Sequence, residues 1–309
     1  MKNILITGAA GFIGSHLCDF YLNKQLRVIG LDNLMTGSIE NIKHNLTNKN
    51  FLFIEHDIRN KINLKERLDF ILHFASPASP SDYLKFPLDT LQIGSTGTEN
   101  VLNLACKSNS KILVASTSEV YGDPLEHPQK ESYFGNVNPI GPRGVYDEAK
   151  RYLEALTMTF HKQKKIDSKI VRIFNTYGPR MRKSDGRAIP NFINQALKNK
   201  NFTIYGDGSQ TRSFCYISDM IAGINKLLYS DYNYPINIGN PNEHSILNLV
   251  HHIKENIPST SKIEFSTLPE NDPKLRKPDI SMAKKILKWE PQIDLIQGLK
   301  KTINYYKDL

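Results

Sequence analysis

Only three cysteines, Cys18, Cys106 and Cys215, occur among the 309 residues, and no two share a Cys-x-x-Cys spacing. An odd, scattered set of this kind argues against a disulfide framework or a structural zinc site, so no metal is expected. Long hydrophobic runs are missing too: nothing approaches the ~20 apolar residues of a membrane-spanning helix. The longest uncharged run, residues 4–15 behind Met1-Lys2-Asn3, superficially resembles a signal peptide. It carries three evenly spaced glycines and no small-residue cleavage site before a polar start. It reads as part of the fold, and the protein as cytoplasmic with no membrane contact. Acidic residues are outnumbered 31 to 40, a formal net charge of +9. The basic residues are dispersed, and the cluster Lys162-Gln163-Lys164-Lys165 falls at the expected end of a helix. The surplus therefore reads as a solvated surface and not as a nucleic-acid patch.

What is present is an ordinary globular composition, 39% hydrophobic and 23% charged. At about 150 residues per domain the length suits two domains, or one large domain with a lobe. Asn3-Ile4-Leu5-Ile6-Thr7, Arg27-Val28-Ile29-Gly30-Leu31, Phe51-Leu52-Phe53-Ile54, Phe70-Ile71-Leu72-His73-Phe74 and Lys111-Ile112-Leu113-Val114-Ala115 are short apolar runs. They alternate with expected helices over 15–24 and 96–108. A further helix over 146–162 precedes the strand Lys169-Ile170-Val171-Arg172-Ile173. This alternation predicts an α/β fold, a doubly wound parallel sheet covered on both faces. After about residue 175 the pattern loosens into Gly-, Pro- and Arg-rich loops at 178–187, 206–212, 240–244 and 269–278. Residues 1–175 are thus expected to be mainly a dinucleotide-binding domain. Residues 176–309 are expected to be mainly a smaller substrate-binding lobe, with some segments returning to the sheet.

Gly8-Ala9-Ala10-Gly11-Phe12-Ile13-Gly14 follows the first strand and opens a helix, with G-x-x-G-x-x-G spacing. Glycine there allows a tight turn whose backbone N–H groups approach a pyrophosphate at the helix N-terminus. Asp32 ends the next strand, 32 − 14 = 18 residues beyond the last glycine. A carboxylate at that place accepts hydrogen bonds from ribose hydroxyls and repels a 2′-phosphate, which favours NAD over NADP. Asp57, after the third strand, has two readings: a contact to an adenine amino group, or a helix cap. Phe74-Ala75-Ser76 ends the fourth strand, where small residues let the backbone run beside a nicotinamide ribose.

Tyr146 and Lys150 are four apart at the start of a helix and share one face. A tyrosine with an ordinary pKa near 10 is a poor base, and a neighbouring ammonium and a helix N-terminus are expected to lower it. Ser116-Thr117-Ser118-Glu119 follows the fifth strand, where hydroxyls can orient a substrate hydroxyl and Glu119 can act as an acid or base. Each residue also has a plain structural reading, as a strand-end hydrogen bond or a solvated acid. Their combination with the glycine loop favours chemistry.

Together these features resemble the extended short-chain dehydrogenase/reductase family over essentially the whole chain. His73-Phe74-Ala75-Ser76-Pro77-Ala78-Ser79-Pro80, Thr117-Ser118-Glu119-Val120-Tyr121-Gly122-Asp123-Pro124 and Asn138-Pro139-Ile140-Gly141-Pro142-Arg143 are similar to the family's UDP-glucuronate decarboxylase branch. So are Ile173-Phe174-Asn175-Thr176-Tyr177-Gly178-Pro179-Arg180-Met181, Gly208-Ser209-Gln210-Thr211-Arg212 and Asp272-Pro273-Lys274-Leu275-Arg276-Lys277-Pro278-Asp279-Ile280. The resemblance implies oxidation of a nucleotide sugar at C4 with tightly held NAD, loss of the C5 carboxylate as carbon dioxide, and re-reduction of the ketone. Catalytic roles are implied for Thr117, Ser118, Glu119, Tyr146, Lys150 and Arg276. Implied cofactor contacts come from Gly8, Gly11, Phe12, Ile13, Gly14, Asp32, Asn33, Asp57, Ile58, Phe74, Ala75 and Ser76, with Tyr146 and Lys150. Implied substrate contacts are Ser118, Glu119, Asn175, Arg180, Asn191, Tyr205, Gln210, Arg212 and Arg276. A homodimer built from helices over 91–108 and 146–162 is also implied.

A 4,6-dehydratase of the same family needs an Asp-Glu acid pair where this chain has Ser118-Glu119, and a 4-epimerase typically lacks the acid. A non-catalytic NAD-binding regulator is the remaining alternative, and such proteins tend to lose the Tyr or the Lys. Gln92 and Gly94 depart from the decarboxylase pattern, which has Lys and Asn there. A lost cation at Gln92 is either compensated by Arg143 or Arg182, or goes with a different nucleotide sugar.

Overall fold

The apolar runs form strands because their neighbours cover them on both sides. In the computed structural model, which describes residues 1–267 and 275–308, thirteen strands occur among the described residues. The first six are β1 (Asn3–Thr7), β2 (Arg27–Asp32), β3 (Phe51–Glu55), β4 (Phe70–His73), β5 (Lys111–Thr117) and β6 (Ser168–Ile173). Short strands follow: β7 (Thr176–Tyr177), β8 (Phe202–Tyr205), β9 (Thr211–Ser213) and β10 (Cys215–Tyr216). The last are β11 (Pro235–Ile238), β12 (Glu243–Ser245) and β13 (Ile263–Ser266). The helices are α1 (Phe12–Asn23), α2 (Pro80–Lys85), α3 (Pro87–Gln92), α4 (Thr98–Ser108) and α5 (Gly144–Lys164). Then come α6 (Ala188–Leu197), α7 (Ile217–Leu228), α8 (Ile246–Asn256) and α9 (Leu295–Lys307).

Seven strands form one sheet in the order β11-β6-β5-β4-β1-β2-β3, every pair parallel. Alternation within each strand sorts its side chains between two cores. Ile4, Ile6, Leu72 and Leu113 join the core under α1 and α7, whereas Leu5, Ile71, Ile112 and Val114 join the one under α4 and α5. This is the expected doubly wound sheet. β11 comes from the later part of the chain and returns to pair with β6, Ile236 against Val171.

The strand order reverses between β1 and β4, and the crevice beyond the carboxyl ends of such strands is where open α/β sheets bind ligands. Thr7 pairs with His73 and Thr117 with Ile173, so the glycine loop, the residues after β4, the Thr117-Ser118-Glu119 turn and Asn175 emerge along one edge. The expected helix over 96–108 is longer than its pattern. A π-turn over Ile93–Gly97 joins α3 to α4, and a Cβ at Gly94 would stand 2.8 Å from that of Ala149 on α5. Glycine at this position lets α5 approach closely. Of the 269–278 loop, residues 269–274, including Asp272, Pro273 and Lys274, lie outside the described residues. No helix among the described residues is long and apolar enough to cross a membrane.

Candidate active site

A cavity of about 730 Å³ follows the carboxyl edge of the sheet, from Gly8 and Asp32 to Tyr205 and Arg212. Its floor is the glycine turn. Gly8 has φ +74°, and a Cβ there would lie 2.8 Å from the Ala75 nitrogen. A Cβ on Gly14 would lie 1.9 Å from the Gly8 carbonyl oxygen. Gly11 caps α1 without any side-chain hydrogen bond, and the first turn holds no acid. The result is a cradle that any side chain would fill, ending at a helix N-terminus suited to a phosphate.

Asp32, 7% exposed, accepts from the backbone N–H groups of Ala10 and Leu34, each at 2.9 Å. Burial pushes its pKa up against the pull of these donors. Asn33 donates to Asp57 at 3.0 Å. Asp57 accepts from Arg59 Nη2 at 2.6 Å and from the Arg59 backbone N–H at 2.9 Å. The Arg59 hydrogen bonds hold Asp57 at about 2. No helix begins at Asp57, so the helix-cap reading is corrected: the carboxylate closes a two-residue turn and binds Arg59. Gly8, Gly11, Phe12, Ile13, Gly14, Asp32, Asn33, Asp57, Ile58, Phe74, Ala75 and Ser76 all line the cavity.

At the other end, Tyr146, in the first turn of α5, is 5% exposed and shares a hydrogen bond with the Thr117 hydroxyl. The expected lowering of its pKa is not found. Burial raises it, and the Thr117 bond only partly opposes this. Lys150 Nζ donates to the Ala115 carbonyl oxygen at 2.9 Å and lies 5.7 Å from the Tyr146 ring centroid. Burial lowers Lys150 itself to about 8. Tyr83 of α2 stacks on Tyr146 with ring centroids 5.0 Å apart. That contact has no signature in the sequence, where Tyr83 looks like any core aromatic.

Glu119 is clamped. Arg143 Nη2 donates to its Oε2, and Arg276 Nη2 approaches the same oxygen at 3.3 Å. Burial works to raise the Glu119 pKa, but the Arg276 and Arg143 charges prevail and hold it at about 2. Arg276 also donates to the Ser118 carbonyl oxygen at 2.6 Å. Ser118, Glu119, Asn175, Asn191, Tyr205, Gln210, Arg212 and Arg276 line the same cavity. Gln210 Nε2 donates to the Tyr205 carbonyl oxygen at 2.5 Å, leaving a buried Oε1 without a partner.

Arg180, expected among the substrate contacts, also lines the cavity, and its Nη2 donates to Asp19 of α1 at 2.6 Å. Its Nη1 is buried without a hydrogen-bond partner, beside the glycine loop. Gln92 does not line the cavity: its Oε1 accepts from Arg59 at 3.2 Å. The structure thus gives the Gln92 side chain an Arg59 partner in place of a position on the cavity wall. Arg143 and Arg182 do line the cavity, and so does Arg187, held by two bonds to Asp185. Arg187 escaped notice in the sequence, although the Arg-rich loop containing it stood out.

The family profile described as GDP-mannose 4,6 dehydratase matches residues 5–302. The chain belongs to the extended short-chain dehydrogenase/reductase family. Within that family it is 47% identical over 306 residues to UDP-glucuronic acid decarboxylase 1 of Xenopus tropicalis, spanning 99% of this chain and 72% of that one. UDP-glucuronic acid decarboxylase 6 of Arabidopsis thaliana is 49% identical over 297 residues, 96% of this chain and 86% of its own. Among solved structures, the UDP-glucuronic acid 4-epimerase of Bacillus cereus, in complex with UDP-glucuronic acid and NAD, is 32% identical. It superposes with a TM-score of 0.88 over 99% of each chain. This member of the family thus shares its fold with an NAD-bound nucleotide-sugar enzyme.

Proposed function

We propose that this protein converts UDP-glucuronate to UDP-xylose and carbon dioxide, with NAD retained and regenerated in each turnover. The observation that carries this reading is the Glu119 carboxylate, clamped by Arg143 and Arg276 beside Ser118. A dehydratase needs a carboxylic acid to protonate a leaving hydroxyl. Ser118 cannot be that acid, and Glu119 is held ionised. The similarity to decarboxylases at nearly half of all positions supports the same choice.

The glycine cradle and the cavity-facing Asp32 fit NAD, with the α1 N-terminus and Arg180 Nη1 on its pyrophosphate and Asp32 on the adenosine ribose. NAD bound there supplies a two-electron acceptor that takes the C4 hydrogen and later gives it back. Tyr146 removes the 4-hydroxyl proton, aligned by Thr117, with the nearby Lys150 ammonium the charge that can balance the developing phenolate against the burial that opposes it. Once C4 is a ketone, the carboxylate leaves readily because its electron pair passes into an enolate, which the Tyr146 hydroxyl stabilises. Glu119 and Ser118 orient the water that protonates C5. Arg212, Asn175, Gln210, Tyr205 and Asn191 hold the diphosphate and nucleotide end, where guanidinium suits bidentate anion contacts. A cytoplasmic location fits three unpaired cysteines. A homodimer through α3 to α5 fits the exposure of Leu88 at 71% and Tyr152 at 50%.

The test is the mass of the product from UDP-glucuronate. Loss of carbon dioxide supports decarboxylation. An unchanged mass with inverted C4 supports the 4-epimerase reading, which the Bacillus cereus structure makes the second choice. Loss of water from a neutral nucleotide hexose supports a dehydratase.

A further inference from the structure

Decarboxylation, taken from the reading above, leaves the sugar one proton short. The carboxylate departs as neutral carbon dioxide, and its bonding electron pair remains on the C4–C5 enolate. The C4 hydrogen and the 4-hydroxyl proton each leave and return, so neither supplies C5. Every turnover must import one proton from solvent to C5.

A second cavity, about 230 Å³, lies behind Glu119. Glu119 and Arg143 line both cavities, whereas Asp147 lines only the second. The rest of the wall includes Gly122, Asp123, Asn136, Val137 and Asn138, from two loops at the surface. Asn136 and Asn138 are exposed, so this wall meets solvent. Asp147 follows Tyr146 on α5, and one residue turns a helix by about 100°. That turn points Asp147 away from the reaction chamber. It is 5% exposed, and its Oδ1 has no hydrogen-bond partner. A buried carboxyl oxygen left without a partner is costly unless a water or a proton serves it.

We propose that the second cavity is the proton inlet of the active site, with Asp147 passing solvent protons to water held by Glu119 and on to C5. The water gives a proton to C5, the Asp147 carboxyl restores that water, and solvent restores Asp147 through the cavity. One proton enters and one C–H bond forms, so the step balances. Glu119 cannot play the Asp147 part, because its two arginines keep it ionised. Asp147 suits it: burial, reinforced by the Glu119 charge, raises its pKa to about 7. Glu148 pushes the same way, Arg143 and Arg276 oppose, and Asp123 faces the same cavity.

The experiment compares wild type with Asp147→Asn on UDP-glucuronate from about pH 5 to about 9, measuring carbon dioxide, pentose product and free 4-keto pentose. Wild type should lose pentose formation as pH rises through about 7, where Asp147 deprotonates. Asp147→Asn should lose that limb, form pentose about tenfold more slowly at acid pH, and release more 4-keto pentose. Asp147→Glu should restore the limb. An Asp147→Asn protein with the wild-type rate, limb and product ratio overturns the inference. If Asp147→Asn melts early, Val137→Phe narrows the inlet without touching an acid, and an unchanged pentose rate there overturns it equally. Failure of the underlying reading looks different: wild type would then release no carbon dioxide from UDP-glucuronate, and the inlet would fall with it.

Discussion

Arg276 Nη2 lies 3.3 Å from Glu119 Oε2, joining the segment after residue 275 to the turn after β5. Arg276 is 2% exposed, and its other terminal nitrogen is committed to the Ser118 carbonyl. The pair thus fixes both the charge of Glu119 and the path of the backbone beside it.

Replacing Arg276 with Met should raise the Glu119 pKa from about 2. In wild type the folded-state pKa is depressed, so the stabilisation is fully present above the unfolded value of about 4.3. It is lost as pH falls toward 2. In Arg276→Met the loss should still begin near the unfolded value but be smaller and end at a higher pH, which melting curves against pH will register. Arg143 remains as a partner, so the cost at neutral pH should stay below the ~3–5 kcal/mol of an orphaned buried charge. With UDP-glucuronate, KM should rise and kcat should fall.

Asp32 predicts the cofactor preference. Asp32→Ala removes the carboxylate that discriminates against a 2′-phosphate, and also the acceptor for the Ala10 and Leu34 backbone N–H groups. NAD affinity should drop by about tenfold or more relative to NADP, the size of one charge-assisted hydrogen bond. Titration with both cofactors checks this, and equal losses would sink the ribose assignment.

The strands and the glycine loop were legible because each is a local pattern: an apolar run, a turn that only glycine can make, an acid at a strand end. Tyr146 and Lys150 were legible as one face of a helix. Their ionisation was not, because burial comes from α2 and Tyr83 as well as from neighbours in sequence. The partners of Glu119 escaped for a related reason: Arg276 lies 157 residues away. The direction of Gln92 was hidden by the π-turn that follows it, which breaks the helical register relating it to α4.

Tyr146→Phe should lower kcat by about 10²–10⁴, the usual range for a lost general base, with little change in KM. The ring stays to stack on Tyr83, so the fold and substrate affinity should persist. Steady-state kinetics with a parallel binding titration separate the two effects. Retention of most activity would remove Tyr146 from the chemistry.

Gln92 offers a sharper check on how substrate charge is met. Its side chain accepts from Arg59, which is also paired with Asp57 and Asp89, and none of its atoms borders the cavity. Gln92→Lys sets a cation beside Arg59 and far from any sugar carboxylate. KM for UDP-glucuronate should therefore change by less than about threefold, the scale of an exposed charge contact. Arg143→Met removes a guanidinium that borders the cavity and holds Glu119, so it should raise KM and lower kcat together. A large gain in affinity from Gln92→Lys would mean that the substrate reaches beyond the cavity to α3. Silence at Gln92 with a loss at Arg143 would locate the positive charge where the carboxylate is lost.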